Sequence, residues 1–182
     1  TVTVPGPGQP LPPFDTPTLA DARGVDPVCT REPEFCPFHD LTLTEALASG
    51  KGVVYLVGTP AFCQTGSCAP ALESIIDIHE DFVDQYVFVH AEVYTDNTAT
   101  TPAPAVDAAG LSYEPALFIT DATGIVVERL DALGVAAQVD DFRGDAAFAR
   151  RRLGHVDHGA VGDHGDRVAG PHDRSGFKRN RV

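Results

Sequence analysis

The feature that most constrains the fold of this chain is a pair of cysteines, Cys63 and Cys68, between two segments of different periodicity. Residues 53–57 form a short apolar run rich in β-branched side chains, which predicts a buried strand. Residues 67–86 repeat apolar side chains near the 3.6-residue period, which predicts a helix. A thiol at a helix N-terminus lies near unsatisfied N–H groups and partial positive charge, which stabilise the reactive thiolate. The position of the pair therefore favours redox chemistry.

The patterns along the rest of the central segment predict an α/β domain. A short helix is expected at 41–49, with Asp40 or Thr42 as its N-cap. After the long helix the chain predicts a strand at 87–94 and a helical turn at 105–109. Two strands joined by a hairpin turn are expected at 115–120 and 125–130, followed by a closing helix at 134–153. This order predicts a central mixed sheet of about four strands, flanked by helices.

Both ends of the chain differ in composition from this domain, which we place at 29–153. Residues 1–28 are rich in proline, which disfavours regular structure and predicts a disordered tether. Residues 154–182 are rich in Gly, His, Asp and Arg and predict a disordered tail. The tail histidines offer at most a loose metal-binding segment: His155, His158, His164 and His172.

The charge of the chain bears on its partners and location. The formal net charge is −13, which repels nucleic acid and anionic lipid, so no nucleic-acid partner is expected. No apolar run approaches the roughly 20 residues of a membrane span. Because the chain begins with Thr1 rather than Met, we expect that a signal peptide or membrane anchor has been removed. These features predict an extracytoplasmic monomer, secreted or tethered to the cell envelope.

The four cysteines permit three disulfide connectivities. Pairing within each short loop is favoured because short loops close easily. We therefore interpret Cys29 and Cys36 as a structural disulfide, with a second redox relay as the alternative. Six and four residues separate the paired cysteines, whereas zinc ligands favour two to four, so a four-cysteine zinc site is disfavoured.

The residues around Cys63 resemble the thioredoxin-like superfamily over about residues 40–133. Phe62 precedes Cys63 as an aromatic residue precedes the first cysteine of thioredoxins, and the segment Tyr113-Glu114-Pro115 resembles their loop with a cis-proline before a strand. The chain looks most similar to exported actinobacterial thioredoxin-fold proteins that carry a TPAFC segment and a Cys-x4-Cys pair.

This resemblance implies a thioredoxin-like three-layer fold and thiol–disulfide exchange with the thiols and disulfides of protein partners. Cys63 would attack and Cys68 would resolve, without a bound cofactor or metal. The implied substrate groove is formed by Phe62, Tyr113, Glu114 and Pro115.

Two departures from the thioredoxin pattern affect the pair. Thioredoxins have two residues between the cysteines, whereas this chain has four. Residues i and i+5 of a helix lie about 7.5 Å apart along the axis, too far for a disulfide, so Cys63 is expected before the helix, with Gly66 bending the loop. Val57 stands where thioredoxins bury an acid, and Glu114 would replace that acid if it faces the sulfurs.

Three other functions remain open at this stage. A non-enzymatic binding module would keep structural disulfides and hold a peptide near Pro115. A peroxiredoxin-like thiol peroxidase would need an arginine near Cys63, and Thr59 lies four residues before that cysteine rather than the three of that family. A copper carrier would combine both cysteines with His90, although a histidine within a strand is expected to bond inside the fold. His39 is expected to help cap the short helix.

Overall fold

A computed structural model describes residues 3–131 of the 182-residue chain. The closing helix expected at 134–153 and the tail at 154–182 lie outside the described residues. None of the helices within 3–131 is both long enough and apolar enough to cross a lipid bilayer. The elements are, in chain order, α1 (Leu43–Leu47), β1 (Gly52–Val57), α2 (Cys68–Phe82), β2 (Tyr86–Ala91), α3 (Pro104–Ala108), β3 (Ala116–Thr120) and β4 (Val126–Asp131).

The four strands form one mixed sheet in the order β2-β1-β3-β4. Strand β1 runs parallel to β2 and antiparallel to β3, and β3 pairs with β4 in the antiparallel sense. Leu56 of β1 lies opposite His90 on one side and Leu117 on the other. The mixed sheet of four strands and the α/β class predicted from the sequence are confirmed.

Apolar side chains are buried on both faces of this sheet. All six residues of β1 are buried, and successive side chains of a strand point to opposite faces. Val54 and Leu56 join the apolar core that contains Leu72 and Ile75 of α2. The second core contains Val53, Tyr55 and Val57 of β1 together with Leu43 of α1 and Ala105 of α3. A central strand with cores on both faces explains why 53–57 lacks polar side chains.

A capping box begins helix α1. The Thr42 hydroxyl accepts a hydrogen bond from the Glu45 backbone N–H at 3.1 Å, and the Glu45 carboxylate accepts one from the Thr42 N–H at 2.8 Å. The sequence left Asp40 and Thr42 as candidates for the N-cap, and the structure shows that it is Thr42. This reciprocal pair satisfies two N–H groups that the first turn leaves unpaired.

The N-terminal segment differs from the disordered tether that its prolines predict. Residues 8–11 lie beside the edge strand β4: the N–H of Gly8 donates to the Val126 carbonyl at 2.8 Å, and that of Leu11 donates to the Gly124 carbonyl, just before β4, at 2.9 Å. Farther along, the N–H of Asp26 donates to the Thr95 carbonyl at 2.9 Å. Leu11 and Val25 are almost fully buried. Proline lacks an N–H, but the residues between the prolines supply donors and apolar side chains. The segment thereby covers an otherwise open sheet edge.

Candidate functional site

Cys63 and Cys68 form a disulfide at the start of α2. Their Cα atoms lie 5.9 Å apart. The helix begins at Cys68, so Cys63 lies in the loop before it, as the spacing predicts. Gly66 turns this loop with a φ of 69°, and its N–H donates to the Cys63 carbonyl at 3.1 Å. Both the position of Cys63 before the helix and the bend at Gly66 are confirmed.

The two sulfurs differ in exposure and in hydrogen bonding. Cys68 is completely buried, whereas Cys63 is partly exposed. The Cys63 sulfur accepts a hydrogen bond from the Cys68 backbone N–H at 3.3 Å and lies 3.2 Å from the Thr65 hydroxyl. A thiolate at Cys63 would therefore receive a helix N-terminal N–H and a hydroxyl, which both favour the charged form.

Glu114 places a carboxyl group beside the buried sulfur. Its Oε2 lies 3.9 Å from the Sγ of Cys68. Burial raises the pKa of Glu114 to about 7, a hydrogen bond with the Gln64 backbone opposes this shift, and the charge of Glu92 adds to it. Glu114 thus faces the sulfurs as the sequence analysis required, with a pKa suited to proton transfer near neutral pH.

The segment after Glu114 packs against the end of β1. The Glu114–Pro115 peptide bond is cis, as the resemblance implied. Gly58, which follows β1, lies between Pro115 and Cys68: a Cβ at this position would be 3.3 Å from the Cβ of Pro115 and 3.5 Å from the Sγ of Cys68. The absence of a side chain at Gly58 therefore lets the proline and the disulfide approach each other closely.

An open groove of about 500 Å³ runs beside the disulfide loop. Tyr113 and Glu114 line it, and the Tyr113 hydroxyl donates to Asp131 at 3.0 Å. Phe62 does not line this groove; its ring packs edge-on to that of Tyr94, with ring centroids 6.5 Å apart. Pro115 is buried behind the groove. Of the four predicted groove residues, Tyr113 and Glu114 form part of the wall, whereas Phe62 and Pro115 do not line it. Further wall residues are Gln64, Thr65, Val106 and Leu111.

The other two cysteines differ from the structural disulfide that the sequence predicts. Cys29 and Cys36 are free thiols. Each is at most 2% exposed, and they share a pocket with His39 and His90, which are equally buried. The sulfur or ring-nitrogen atoms that these four residues turn toward one another all lie within 4.8 Å of each other. The sequence predicts no metal site in the domain and places His90 only in an alternative copper site with Cys63 and Cys68, whereas the donor set seen here is one that binds metals.

His90 lies at the centre of this group. Its Nε2 lies 2.9 Å from the Gly58 carbonyl, which can only accept, so Nε2 carries a proton. Its Nδ1 faces His39 Nε2 at 3.1 Å, Cys36 Sγ at 3.5 Å and Cys29 Sγ at 3.9 Å. His90 therefore bonds within the fold, as expected of a strand histidine. It lies with Cys29 and Cys36. The copper-carrier alternative would instead need His90 beside Cys63 and Cys68.

Charge in this pocket is shared among sulfur and imidazole. Hydrogen bonding from Cys36 lowers the pKa of Cys29, and the same contact raises the pKa of Cys36. Burial lowers the pKa of His39. Burial opposes protonation of His90, but its contact with Cys29 and the charge of Glu92 outweigh burial and raise the pKa of His90. The contacts within the pocket thus favour the thiolate form of Cys29.

Sequence reasoning missed this cluster for two reasons. His39 was expected to cap α1, but Thr42 provides the cap and the His39 ring enters the pocket. The spacing Cys36-x2-His39 is typical of metal ligands and could have indicated the site. The zinc argument from the sequence considered only the intervals between cysteines. His90 lies 51 residues after His39, and only the fold brings them together.

The loop that carries Cys29 is fastened on both sides. The Thr30 N–H donates to the buried carboxylate of Glu92 at 2.6 Å, and the Thr30 hydroxyl accepts from the Ala61 N–H at 3.1 Å. Arg31 pairs with Glu73 of α2 at 2.6 Å. The loop therefore contacts the disulfide loop, α2 and the end of β2. Burial also raises the pKa of Glu92.

No protein-family model matches this chain, and no curated protein matches it in sequence. The function is therefore inferred from the geometry of its own residues.

Proposed function

We propose that this chain contains a thioredoxin-like thiol–disulfide oxidoreductase domain that exchanges disulfides with protein partners through Cys63 and Cys68. The observation that carries the proposal is the disulfide at the start of α2, with one accessible sulfur and a carboxyl group 3.9 Å from the buried one. Cores on both faces of a mixed sheet and the cis-proline before β3 support the thioredoxin-like arrangement.

The first step of exchange belongs to Cys63. In the reduced domain its thiolate attacks one sulfur of a partner disulfide, that S–S bond breaks, and the other partner sulfur leaves as a thiolate. A mixed disulfide between Cys63 and the partner results. The Cys68 N–H and the Thr65 hydroxyl stabilise the attacking thiolate. Cys68 is completely buried, so a partner reaches Cys63 first.

The second step belongs to Cys68 and Glu114. The Glu114 carboxylate takes the proton of the Cys68 thiol, and the resulting thiolate attacks the Cys63 sulfur. The bond to the partner breaks and the partner leaves as a thiolate, while the Cys63–Cys68 disulfide forms. The partner disulfide gains two electrons and the domain loses two. The reverse sequence oxidises a partner dithiol.

The groove beside the disulfide suits an extended peptide segment. Tyr113 and Glu114 form one wall, next to the backbone that leads into β3, so a partner strand could align along it. The domain needs no bound cofactor for this reaction. Because disulfides persist in oxidising compartments, we place it outside the cytoplasm. A monomer presents the groove without obstruction.

A trapping experiment tests the proposal. Cys68→Ser removes the resolving thiol, so the proposal predicts a stable mixed disulfide between Cys63 and a disulfide-bonded peptide, detected by mass spectrometry. The matched control, Cys63→Ser with Cys68→Ser, should form none. A Cys63–Cys68 bond that resists glutathione in the unaltered chain, together with no adduct on Cys68→Ser, would instead indicate a binding module with a structural disulfide.

A further inference from the structure

We propose that Cys29, Cys36, His39 and His90 form a closed four-coordinate zinc site. The cluster lies apart from the residues that perform disulfide exchange, so the inference stands whether or not the proposed function is correct. Two sulfurs and two imidazole nitrogens converge in a fully buried pocket, and this is a ligand set of structural zinc sites.

Three of the six distances between the donor atoms are close to those around a tetrahedral ion, and all six are below 4.8 Å. Zinc–sulfur and zinc–nitrogen bonds of about 2.3 and 2.05 Å place two ligands about 3.6 Å apart when one is sulfur and the other nitrogen, and about 3.3 Å apart when both are nitrogen. His90 Nδ1 lies 3.5 Å from the Cys36 sulfur, 3.9 Å from the Cys29 sulfur and 3.1 Å from His39 Nε2. All three distances lie within about 0.4 Å of the tetrahedral values.

The proton on His90 fixes which of its nitrogens can bind. Because Nε2 donates to the Gly58 carbonyl, the lone pair of the neutral ring is on Nδ1, which faces the cluster. One lone pair accepts one strong hydrogen bond, yet three polar atoms surround it. A cation at the centre of the four groups would take the Nδ1 lone pair together with one lone pair from each of the other three donor atoms.

Charge balance also favours a divalent ion. In the bound state both cysteines are thiolates, and two thiolates neutralise Zn²⁺, so the buried site carries no net charge. The Cys36 backbone N–H donates to the Cys29 sulfur at 3.4 Å, which stabilises a thiolate ligand. The burial of all four residues leaves no open position for a substrate, and this indicates a structural ion.

The site would join parts of the chain that are distant in sequence. Cys29, Cys36 and His39 lie in the loop before α1, and His90 lies in β2. Gly58, whose carbonyl holds His90, also contacts Cys68 and Pro115. Zinc would therefore fix the loop to the sheet directly behind the disulfide.

Metal content of the full chain tests this inference. Protein purified under reducing conditions, incubated with zinc and passed over a desalting column with a weak chelator should retain one zinc ion per chain. The double variant Cys29→Ser, Cys36→Ser should retain less than a tenth of that, whereas Cys63→Ser, Cys68→Ser should retain all of it. His90→Gln should lose zinc. His79 lies in α2, where its partly exposed ring packs against Phe38 and Phe88, so His79→Gln should keep the zinc.

A second measurement does not depend on the variants folding. Cobalt(II) added to the unaltered apoprotein should give the visible bands of a tetrahedral thiolate site, and zinc should displace them stoichiometrically. Equal metal retention by the Cys29→Ser, Cys36→Ser variant would place the metal elsewhere in the chain and overturn the site. A Cys29–Cys36 disulfide in the native chain with no zinc uptake after reduction would overturn it as well, and tight copper(I) in place of zinc would overturn the choice of ion.

Discussion

The two cysteine pairs of this chain have similar spacings and opposite surroundings. Cys63 and Cys68 are bonded, with one sulfur partly exposed beside a groove and a carboxyl group next to the other. Cys29 and Cys36 are unbonded and completely enclosed beside two imidazoles. Spacing along the chain therefore does not distinguish the proposed exchange pair from the proposed metal ligands. Access to the sulfur and the second donor near it do.

The difference between the pairs has a physical basis. Thiol–disulfide exchange needs a sulfur that a partner can reach and a base that can take the proton of the second thiol. A structural metal needs four donors whose other hydrogen bonds hold them in place, with water excluded. Gly58 separates the two sites, since its carbonyl accepts from His90 while its Cα faces Cys68.

The largest effect on the exchange rate is expected when one sulfur of the first pair is removed, with removal of one sulfur of the second pair as the control. Cys63→Ser should reduce the rate of insulin disulfide reduction to the uncatalysed rate, because no other accessible thiolate lies at the groove. Cys36→Ser should retain the rate per folded molecule, measured at a temperature where circular dichroism shows both variants folded. Equal losses in the two variants would break the comparison.

The next effect concerns the carboxyl group that only the first pair possesses. Glu114→Gln should slow release of the mixed disulfide by about 10²-fold, because the Cys68 thiol loses its proton acceptor. In the unaltered chain the rate of this step should rise with pH through about 7, where Glu114 becomes ionised, and then reach a plateau. Stopped-flow measurement from pH 5.5 to pH 8.5 checks both. If the pH profile of Glu114→Gln keeps its inflection near pH 7, the inflection belongs to another group, and the buried carboxyl group of Glu92 would be the first alternative to test.

Loss of the second pair should affect stability rather than chemistry. The double variant Cys29→Ser, Cys36→Ser should lower the free energy of unfolding by roughly 3 kcal/mol or more in zinc-containing buffer, because it loses the metal and both thiolate ligands. Urea denaturation followed by circular dichroism measures this. Addition of a strong chelator should destabilise the unaltered chain and leave the double variant unchanged, and an identical response in both would argue against the site.

The smallest effect tests the ion pair that fastens the loop of Cys29 to α2. Arg31 and Glu73 are partly exposed, with side-chain exposures of 22% and 35%. A double-mutant cycle with Arg31→Ala and Glu73→Ala should give a coupling of about 0.5 kcal/mol, because solvent screens the pair. A coupling near zero would show that the loop is held by its buried contacts alone.

The sequence predicts the parts of this structure that depend on local pattern. The apolar run of β1, an N-cap of α1 at Asp40 or Thr42 and the turn at Gly66 follow from residues within a few positions of one another. The approach of Glu114 to Cys68 could be stated only as a condition, because it depends on how β3 enters the sheet.

Two sequence-based expectations failed for the same physical reason. Residues 1–28 are predicted to form a tether because proline disfavours regular structure, but the described residues 3–28 are anchored by hydrogen bonds to β4, to the turn before it and to Thr95, which no local pattern reveals. Cys29 and Cys36 are predicted to form a disulfide because a short loop closes easily, but they are free thiols, and His90 from a distant strand lies within 3.9 Å of both sulfurs. Tertiary contacts decided both outcomes.

The reduction potentials of the two pairs, measured separately, test the central contrast most directly. The chain would be equilibrated with glutathione buffers, alkylated and digested, and each cysteine-containing peptide quantified by mass spectrometry. We predict that Cys63 and Cys68 titrate together at a potential above about −270 mV, with Cys63 alkylated first, while Cys29 and Cys36 form no disulfide when zinc is present. A Cys63–Cys68 potential below about −300 mV, the range of structural disulfides, would contradict the account.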